Sequence, residues 1–389
     1  MNAPKLRFKE FNDEWCYQPL SKYVNRIITK NKSNESNLVL TISAQLGLID
    51  QTKFFNRSVS SSNLTEYYLL NNGDFAYNKS YSNGYPWGAV KRLNKYNQGV
   101  VSPLYICFKP NNLINSNYLE QYFETNKWYQ QISEVSVEGA RNHGLLNIAV
   151  NDFFDTKHYI PSMEEQLKIA NFLSLLDKKI ELQSRKIEDL KLFKKGLKEC
   201  EFSNLDCKEI SLSEILKERK TYSEKGLEFP HVTLSKDGIY DKGDRYNRDF
   251  LVKSDDKKYK ITYLNDLCYN PANLKFGVIC LNEYGSAIFS PIYVTFIIKD
   301  IANPVYIKYY VTRNNFINAI RKYEQGTVYE RMAVSPEDFL KFSIKLPHIE
   351  IQNKIVAKLS KLDKKIELEE LRLIKLNELK KGLMQNMFV

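Results

Sequence analysis

Four histidines, His143, His158, His231 and His348, are the first residues to test for metal chemistry. None pairs with another at the short spacing that lets two imidazoles hold one zinc ion, so no metal site is expected. The six cysteines at 16, 107, 200, 207, 268 and 280 form no Cys-x-x-Cys pair. They read as reduced thiols in a cytoplasmic protein rather than as a disulfide framework. Gly238-x-x-x-x-Gly243 starts like a phosphate-binding loop, but Asp244-Arg245 follows where Lys-Ser/Thr must clamp phosphate and magnesium. Asn270-Pro271-Ala272-Asn273 lacks the second proline and the aromatic that a base-flipping adenine loop needs, and reads as a turn after a strand. Asp206 followed by Glu218-Arg219-Lys220 has the rough spacing of a metal-dependent nuclease core. The intervening Leu212-Ser213-Glu214-Ile215-Leu216 looks amphipathic, however, and carboxylates beside cations are the ordinary surface of such a helix. No catalytic site is expected in this chain.

Binding chemistry is better represented. Tyr77-Asn78-Lys79-Ser80-Tyr81-Ser82-Asn83 and Tyr269-Asn270-Pro271-Ala272-Asn273-Leu274-Lys275 each mix aromatics, amides and cations. Arg141-Asn142-His143 and the stretch holding Thr327, Tyr329 and Arg331 form a second cluster in each half. Arginine can grip guanine N7/O6 and asparagine adenine N6/N7 through paired hydrogen bonds, while lysine holds phosphates. Ser43, and Ser235 with Lys236, join this candidate DNA-binding set. For any single residue a polar surface loop explains as much; recurrence at matching places in both halves favours function.

The whole composition agrees with a binder. The 389 residues carry a net charge of +11, spread through the chain, and 43% are hydrophobic. That allows two or three domains with real cores, and a basic surplus that permits nucleic-acid binding without proving it. No stretch is apolar enough to span a membrane, and the polar N-terminal residues give no secretory signal.

The elements that must position these residues are written twice. Residues 159–202 align without a gap onto 345–388, with 20 identities in 44 positions. Leu176-Asp177-Lys178-Lys179-Ile180-Glu181-Leu182 recurs letter for letter as Leu362 to Leu368, and Lys194-Lys195-Gly196-Leu197 as Lys380 to Leu383. Upstream the match is weaker: Thr41-Ile42-Ser43 answers Thr233-Leu234-Ser235, Tyr77-Asn78 answers Tyr269-Asn270, and Ser102-Pro103-x-Tyr105 answers Ser290-Pro291-x-Tyr293. The predicted plan is module (1–161), helix (162–202), module (203–347), helix (348–389), with extra residues from Lys79 to Trp87 in the first module.

Ile169, Leu173, Leu176, Ile180, Ile187, Leu190 and Leu197 follow one another on an alternating four-and-three spacing with two seven-residue gaps, Gln183 filling the first. Ile355, Leu359, Leu362, Ile366, Leu373, Leu376 and Leu383 repeat that seam. Two helices of about 35 residues, hence roughly 50 Å, are predicted to pair as an antiparallel coiled coil; a bundle with other subunits is the competing arrangement. The modules read as mixed α/β, with a strand through Val100–Phe108 and another at Tyr293–Ile298, and helices at Tyr118–Trp128 and Tyr306–Tyr323. The expected class is α+β, two pseudo-repeated modules each followed by a long helix.

Over essentially its whole length the sequence resembles the specificity subunits of type I restriction-modification enzymes, the HsdS family. The resemblance rests on Pro161-x-x-Glu164-x-Gln166 with Leu176-Asp177-Lys178-Lys179-Ile180, on the same pattern from Pro347 to Ile366, and on Gly73-Asp74-Phe75-Ala76-Tyr77-Asn78 and Ser102-Pro103-Leu104-Tyr105. It implies two target recognition domains, each reading half of a bipartite, asymmetric DNA site. It implies helices that set the half-site separation and dock two adenine methyltransferase subunits. S-adenosylmethionine, ATP and Mg²⁺ would then sit on partner subunits, the restriction/translocase subunits among them, and none on this chain. A single-chain methyltransferase or nuclease, and a coiled-coil scaffold without a nucleic-acid role, stand as alternatives.

Overall fold

The computed structural model describes residues 3–55, 63–136, 146–203, 205–223, 228–242, 258–323 and 333–389. The chain divides into two compact units. Unit 1 is Met1–Ser184 with Leu371–Val389, and unit 2 is Arg185–Glu370. The division cuts both long helices, which run Met163–Ser203 and Ile349–Met387, 41 and 39 residues, or about 60 Å each. Each unit therefore owns the start of one helix and the end of the other.

Both units are built on the same four-stranded antiparallel sheet. In unit 1 the order is Val24–Arg26, Ile106–Pro110, Phe75–Asn78, Ala89–Arg92; in unit 2 it is Leu216–Glu218, Val294–Ile298, Leu267–Tyr269, Ile279–Leu281. A hairpin accompanies each sheet, Leu40–Ser43 with Gly47–Asp50 and Val232–Ser235 with Gly238–Asp241. A short strand pair closes each module before its long helix, Cys16–Pro19 with Lys157–Ile160 and Glu209–Ser211 with Ser343–Lys345. The class is α+β, as expected.

Two local expectations are corrected. The stretch Val100–Phe108 is two strands, Gln98–Val101 and Ile106–Pro110, because Ser102-Pro103-Leu104-Tyr105 is a turn closed by Tyr105 N–H on the Ser102 carbonyl at 3.1 Å. Proline at its second position presets the turn backbone. Ser290-Pro291-Ile292-Tyr293 makes the same turn, also at 3.1 Å, so the repeated Ser-Pro-x-Tyr is turn chemistry. The helix expected at Tyr118–Trp128 is Ser116–Phe123 followed by Tyr129–Val135, the chain breaking to bury Trp128, whose indole N–H donates to the Phe123 carbonyl. Its counterpart is Pro304–Val311 and Asn314–Ile320, broken where Arg313 stacks over Tyr310 at 4.0 Å.

The repeated Pro-x-x-Glu-x-Gln has a structural cause. Gln166, fully buried, donates through Nε2 to the Pro161 carbonyl at 3.0 Å and accepts the Asn115 N–H at 2.7 Å. Asn115 in turn caps the helix Ser116–Phe123 by accepting from Tyr118 N–H. Gln352 repeats the bridge between the Pro347 carbonyl at 2.8 Å and Asn303 N–H at 2.8 Å. One amide thus fixes the first turn of each long helix to its own module.

The cores match as well. Tyr77 stacks on Phe153 at 4.9 Å in unit 1, and Tyr269 on Phe339 at 4.8 Å in unit 2. The long helices exceed the expected length of about 35 residues, and an aromatic at the end of each stretch is buried: Phe388, just past the second helix, lies among the aromatics of unit 1, and Phe202 packs on Tyr306 at 5.1 Å in unit 2. In unit 2 the helices run antiparallel, Lys186 meeting Glu369 at 2.8 Å, Lys191 meeting Glu370 at 2.6 Å, and Lys358 meeting Glu201 at 2.8 Å. Every seam residue is buried or half-buried. Ile169, Leu173, Ile355 and Leu359 belong to the module cores, whereas Ile187 and Ile366 are buried farther along the helices.

Candidate nucleic-acid interface

In each module the polar segment after the central strand is bonded to residues that precede the module's last short helix. In unit 1 the strand Phe75–Asn78 ends at Lys79, whose carbonyl accepts from Leu146 N–H at 2.8 Å and whose Nζ donates to the Ile148 carbonyl at 3.0 Å. In unit 2 the Pro271 carbonyl accepts from Val334 N–H at 3.3 Å, and Tyr269 Oη donates to the Val334 carbonyl at 3.0 Å. Lys79 and Pro271 are equivalent positions of the repeat, and Leu146 and Val334 each lie shortly before a helix N-cap of their module, Ala149 and Ser335. Arg141, Asn142 and His143, and Thr327, Tyr329 and Arg331, lie outside the described residues. The residues that follow them in each unit are bonded to the segment after the strand.

Two candidates are corrected outright. Tyr77 and Tyr269 are fully buried, and their hydroxyls donate to the Trp87 and Val334 carbonyls. Burial holds both phenols well above the usual tyrosine range. They are core aromatics with a satisfied polar end, and no base can reach them in this fold. Asn78 and Asn270 are partly committed too. Each side-chain oxygen accepts a backbone N–H two residues on, from Ser80 and Ala272, both at 3.1 Å. Gly88, at φ 77°, lies against the Asn78 carbonyl, where an added Cβ would come within 2.2 Å.

Other candidates remain available to a ligand. Tyr81 and Asn83 are exposed, and Ser80 is half-buried. In unit 2 Lys236 is exposed at the hairpin turn, and its side chain passes over Gly277, where an added Cβ would meet its Cε at 3.6 Å. That brings Ser235 and Lys236 beside the loop of Asn273 and Lys275, both half-exposed. Ser43 is buried and caps its hairpin by accepting from Leu46 N–H, as Ser235 does from Asp237 N–H.

Sequence reasoning missed a cleft of about 1010 Å³ in unit 1, between the hairpin turn at Ala44–Leu48, the strand residues Lys91 and Arg92, and helix residues Asp177 and Lys380. Its acids are paired, Glu124 with Lys91, Glu120 with Arg92 and Asp177 with Lys380. Lys91 is buried and also lies over the Tyr85 ring at 5.5 Å. Nothing in the Ala-Val-Lys-Arg strand marks a buried lysine; only the fold supplies Glu124.

The enzyme candidates do not assemble. Arg219 grips Asp266 through Nε at 2.8 Å and Nη2 at 2.9 Å, and Glu218 pairs with Lys260 at 3.1 Å, so the nuclease-like carboxylate is held in a structural pair. Asn270 caps the short 3-10 helix Pro271–Phe276, as expected of a turn. Among the described residues no three His, Cys, Asp or Glu side chains gather as a metal site, and no helix is long and apolar enough to cross a membrane. His158 is buried between Tyr122 and Thr156, while His348 is exposed.

Residues 204–378 match the family model described as type I restriction modification DNA specificity domain. No curated protein matches the chain in sequence. Three solved structures share its fold at low identity. An HsdS subunit from Thermoanaerobacter tengcongensis is 14% identical at a TM-score of 0.50, covering 96% of each chain. The type I restriction-modification system S subunit from M. genitalium is 15% identical at 0.52, over 100% of this chain and 99% of that one. A chain from a structure on complex assembly and conformational transition of the type I R-M system is 13% identical at 0.59, over 98% and 99%. Family model and fold together bear out the resemblance to HsdS specificity subunits read from the repeated helices.

Proposed function

We propose that this chain, whose residues 204–378 belong to the type I restriction modification DNA specificity domain family, is the DNA-reading subunit of a type I restriction-modification complex. Each module reads one half of a bipartite site, and the halves differ because the module sequences differ. The long helices set the distance between half-sites and dock two adenine methyltransferase subunits. Restriction/translocase subunits complete the complex. S-adenosylmethionine, ATP and Mg²⁺ act on those partners, and this chain contributes no catalytic residue.

The observation that carries this proposal is that each unit holds the polar segment after its central strand by a backbone bond, Leu146 on Lys79 in one unit and Val334 on Pro271 in the other. A scaffold needs no such junction twice. Base-reading residues need it, because phosphate and base contacts must be held in fixed relation to one another.

The test is to co-express the chain with its adenine methyltransferase subunit in a methylation-free host and map N6-methyladenine across the genome. A bipartite, asymmetric motif with one fixed spacer is the expected result. Random or absent methylation with a stable complex would leave a docking subunit that does not read DNA. Methylation or cleavage by the purified chain alone would instead establish a single-chain enzyme. Arg141→Ala and Arg331→Ala should each weaken specific binding by about 1–3 kcal/mol and relax the motif in one half only.

A further inference from the structure

In unit 1 the carboxylate of Asp177, on the first long helix, joins three elements. Its Oδ2 accepts from Gln121 Nε2 at 2.9 Å, and Gln121 lies on the module helix Ser116–Phe123. Its Oδ1 accepts from Lys380 Nζ at 2.5 Å, and Lys380 lies on the second long helix. Gln121 is buried and its Oε1 has no hydrogen-bond partner among the described residues, so Asp177 alone orients the amide.

Unit 2 contains the same junction with the helices exchanged. Asp363 stands on the second long helix where Asp177 stands on the first, and it accepts from Tyr309 Oη at 2.5 Å and from Lys194 Nζ. Tyr309 belongs to the module helix Pro304–Val311, and Lys194 also lies over its ring at 5.4 Å. The two aspartates are the same position of the repeat, as are the two lysines.

The exposure of these groups tells what the junctions are for. Asp177 and Asp363 are 41% and 40% exposed, and ion pairs that open to solvent add little to stability. Selecting a register is a different task. The seam positions recur every seven residues in both helices, so outside the module cores the apolar seam by itself does not distinguish a slip of seven residues. Such a slip moves one helix by about 10.5 Å and separates both Asp–Lys pairs at once. The second oxygen of each aspartate ties that register to the module.

We propose that Asp177 and Asp363 are positioning residues that lock the helix register and seat each recognition module on it, and so hold the subunit to one half-site spacing. This rests on the function proposed above. The test uses the full co-expressed complex and genome-wide N6-methyladenine mapping. The parent should methylate one spacer length. Lys194→Met with Lys380→Met should methylate sites about three base pairs longer or shorter, the length of that slip along B-DNA, at least tenfold more often, with both half-site sequences unchanged. Reversing all four charges (D177K, D363K, K194D, K380D) should restore the single spacer, the free Gln121 Oε1 turning to accept from the new lysine. A single spacer in the double variant, or relaxed spacing that charge reversal does not correct, overturns the proposal.

A parent that methylates no bipartite site sinks the functional reading, and the lock is then judged on the helices themselves. With exposed Cys16 and Cys200 replaced by serine, Lys186→Cys and Glu369→Cys should cross-link oxidatively. Adding Lys194→Met and Lys380→Met should lower the yield at least threefold. An unchanged yield overturns the lock.

Discussion

The ring of Phe388, at the end of the second long helix, lies 5.4 Å from that of Tyr118 in the core of unit 1. Phe202 stands in the same relation to Tyr306 in unit 2. Each module is therefore completed by the helix that ends in it. Phe388→Ala should destabilise unit 1 by about 3–5 kcal/mol, the range for emptying a buried phenylalanine site. All three tryptophans, Trp15, Trp87 and Trp128, fall in unit 1, so their fluorescence reports its unfolding by denaturant. A parent-like midpoint for Phe388→Ala, or an equal shift from Phe202→Ala, would contradict this division.

Gln166 is the second place where one side chain holds a module to its helix. Gln166→Leu keeps the volume but strands the Asn115 N–H and the Pro161 carbonyl, at about 1–3 kcal/mol for each buried group left without a partner. Tryptophan fluorescence should show unit 1 unfolding at lower denaturant. Gln352→Leu, in unit 2, should leave that transition in place.

Acid should act on unit 1 through His158. Thr156 Oγ1 gives its proton to the Phe153 carbonyl and so accepts from His158 Nε2–H, which leaves Nδ1 to accept from Tyr122 Oη at 2.7 Å. Burial holds the imidazole neutral, its pKa lowered to about 3. The unfolded chain, with a pKa of about 6.5, binds a proton that the folded unit refuses, so stability is full above pH 6.5 and falls as pH drops toward 3. The loss between pH 7 and 5 is about 2 kcal/mol from this group. His158→Ile places there the residue that unit 2 carries as Ile344. It should remove that part of the slope; parallel pH curves for parent and variant would refute the assignment.

Tyr77 shows where sequence reading and structure part. A tyrosine beside asparagine and lysine, recurring in both halves, reads as a nucleic-acid contact, but recurrence preserves a core as faithfully as a site. Both tyrosines carry a polar end, so composition alone does not separate the two. Tyr77→Phe should lose about 1 kcal/mol of stability with its hydrogen bond to Trp87 and leave the methylated motif unchanged.

The long helices were legible because period, proline start and repetition all agree over some forty residues, and the seam follows from the period alone. The module interiors were harder. Their strands are two to five residues long, and a turn such as Ser102–Tyr105 lies between Val100-Val101 and Ile106-Cys107-Phe108, so the whole stretch reads as one strand. Trp128 breaks its helix through a tertiary demand, burial under Phe123, which no local preference announces. The buried lysine Lys91 and the Gln121–Asp177 junction depend on partners 33 and 56 residues away. The bonds from Leu146 to Lys79 and from Val334 to Pro271 were likewise invisible in the sequence.

The antiparallel register makes a sharp demand on any attempt to lengthen the helices. One heptad inserted after Ser184 adds about 10.5 Å to a single helix and carries Lys186, Lys191 and Lys194 away from Glu369, Glu370 and Asp363. That variant should form no methylating complex. A second heptad inserted after Glu370 restores each pair, because Asp177 to Lys194 and Asp363 to Lys380 then grow by the same length. The doubly inserted chain should methylate the parental half-sites across a longer spacer, read by N6-methyladenine mapping. An unchanged spacer would deny the helices their part in setting it, and recovery by the single insertion would deny that the pairs fix their register.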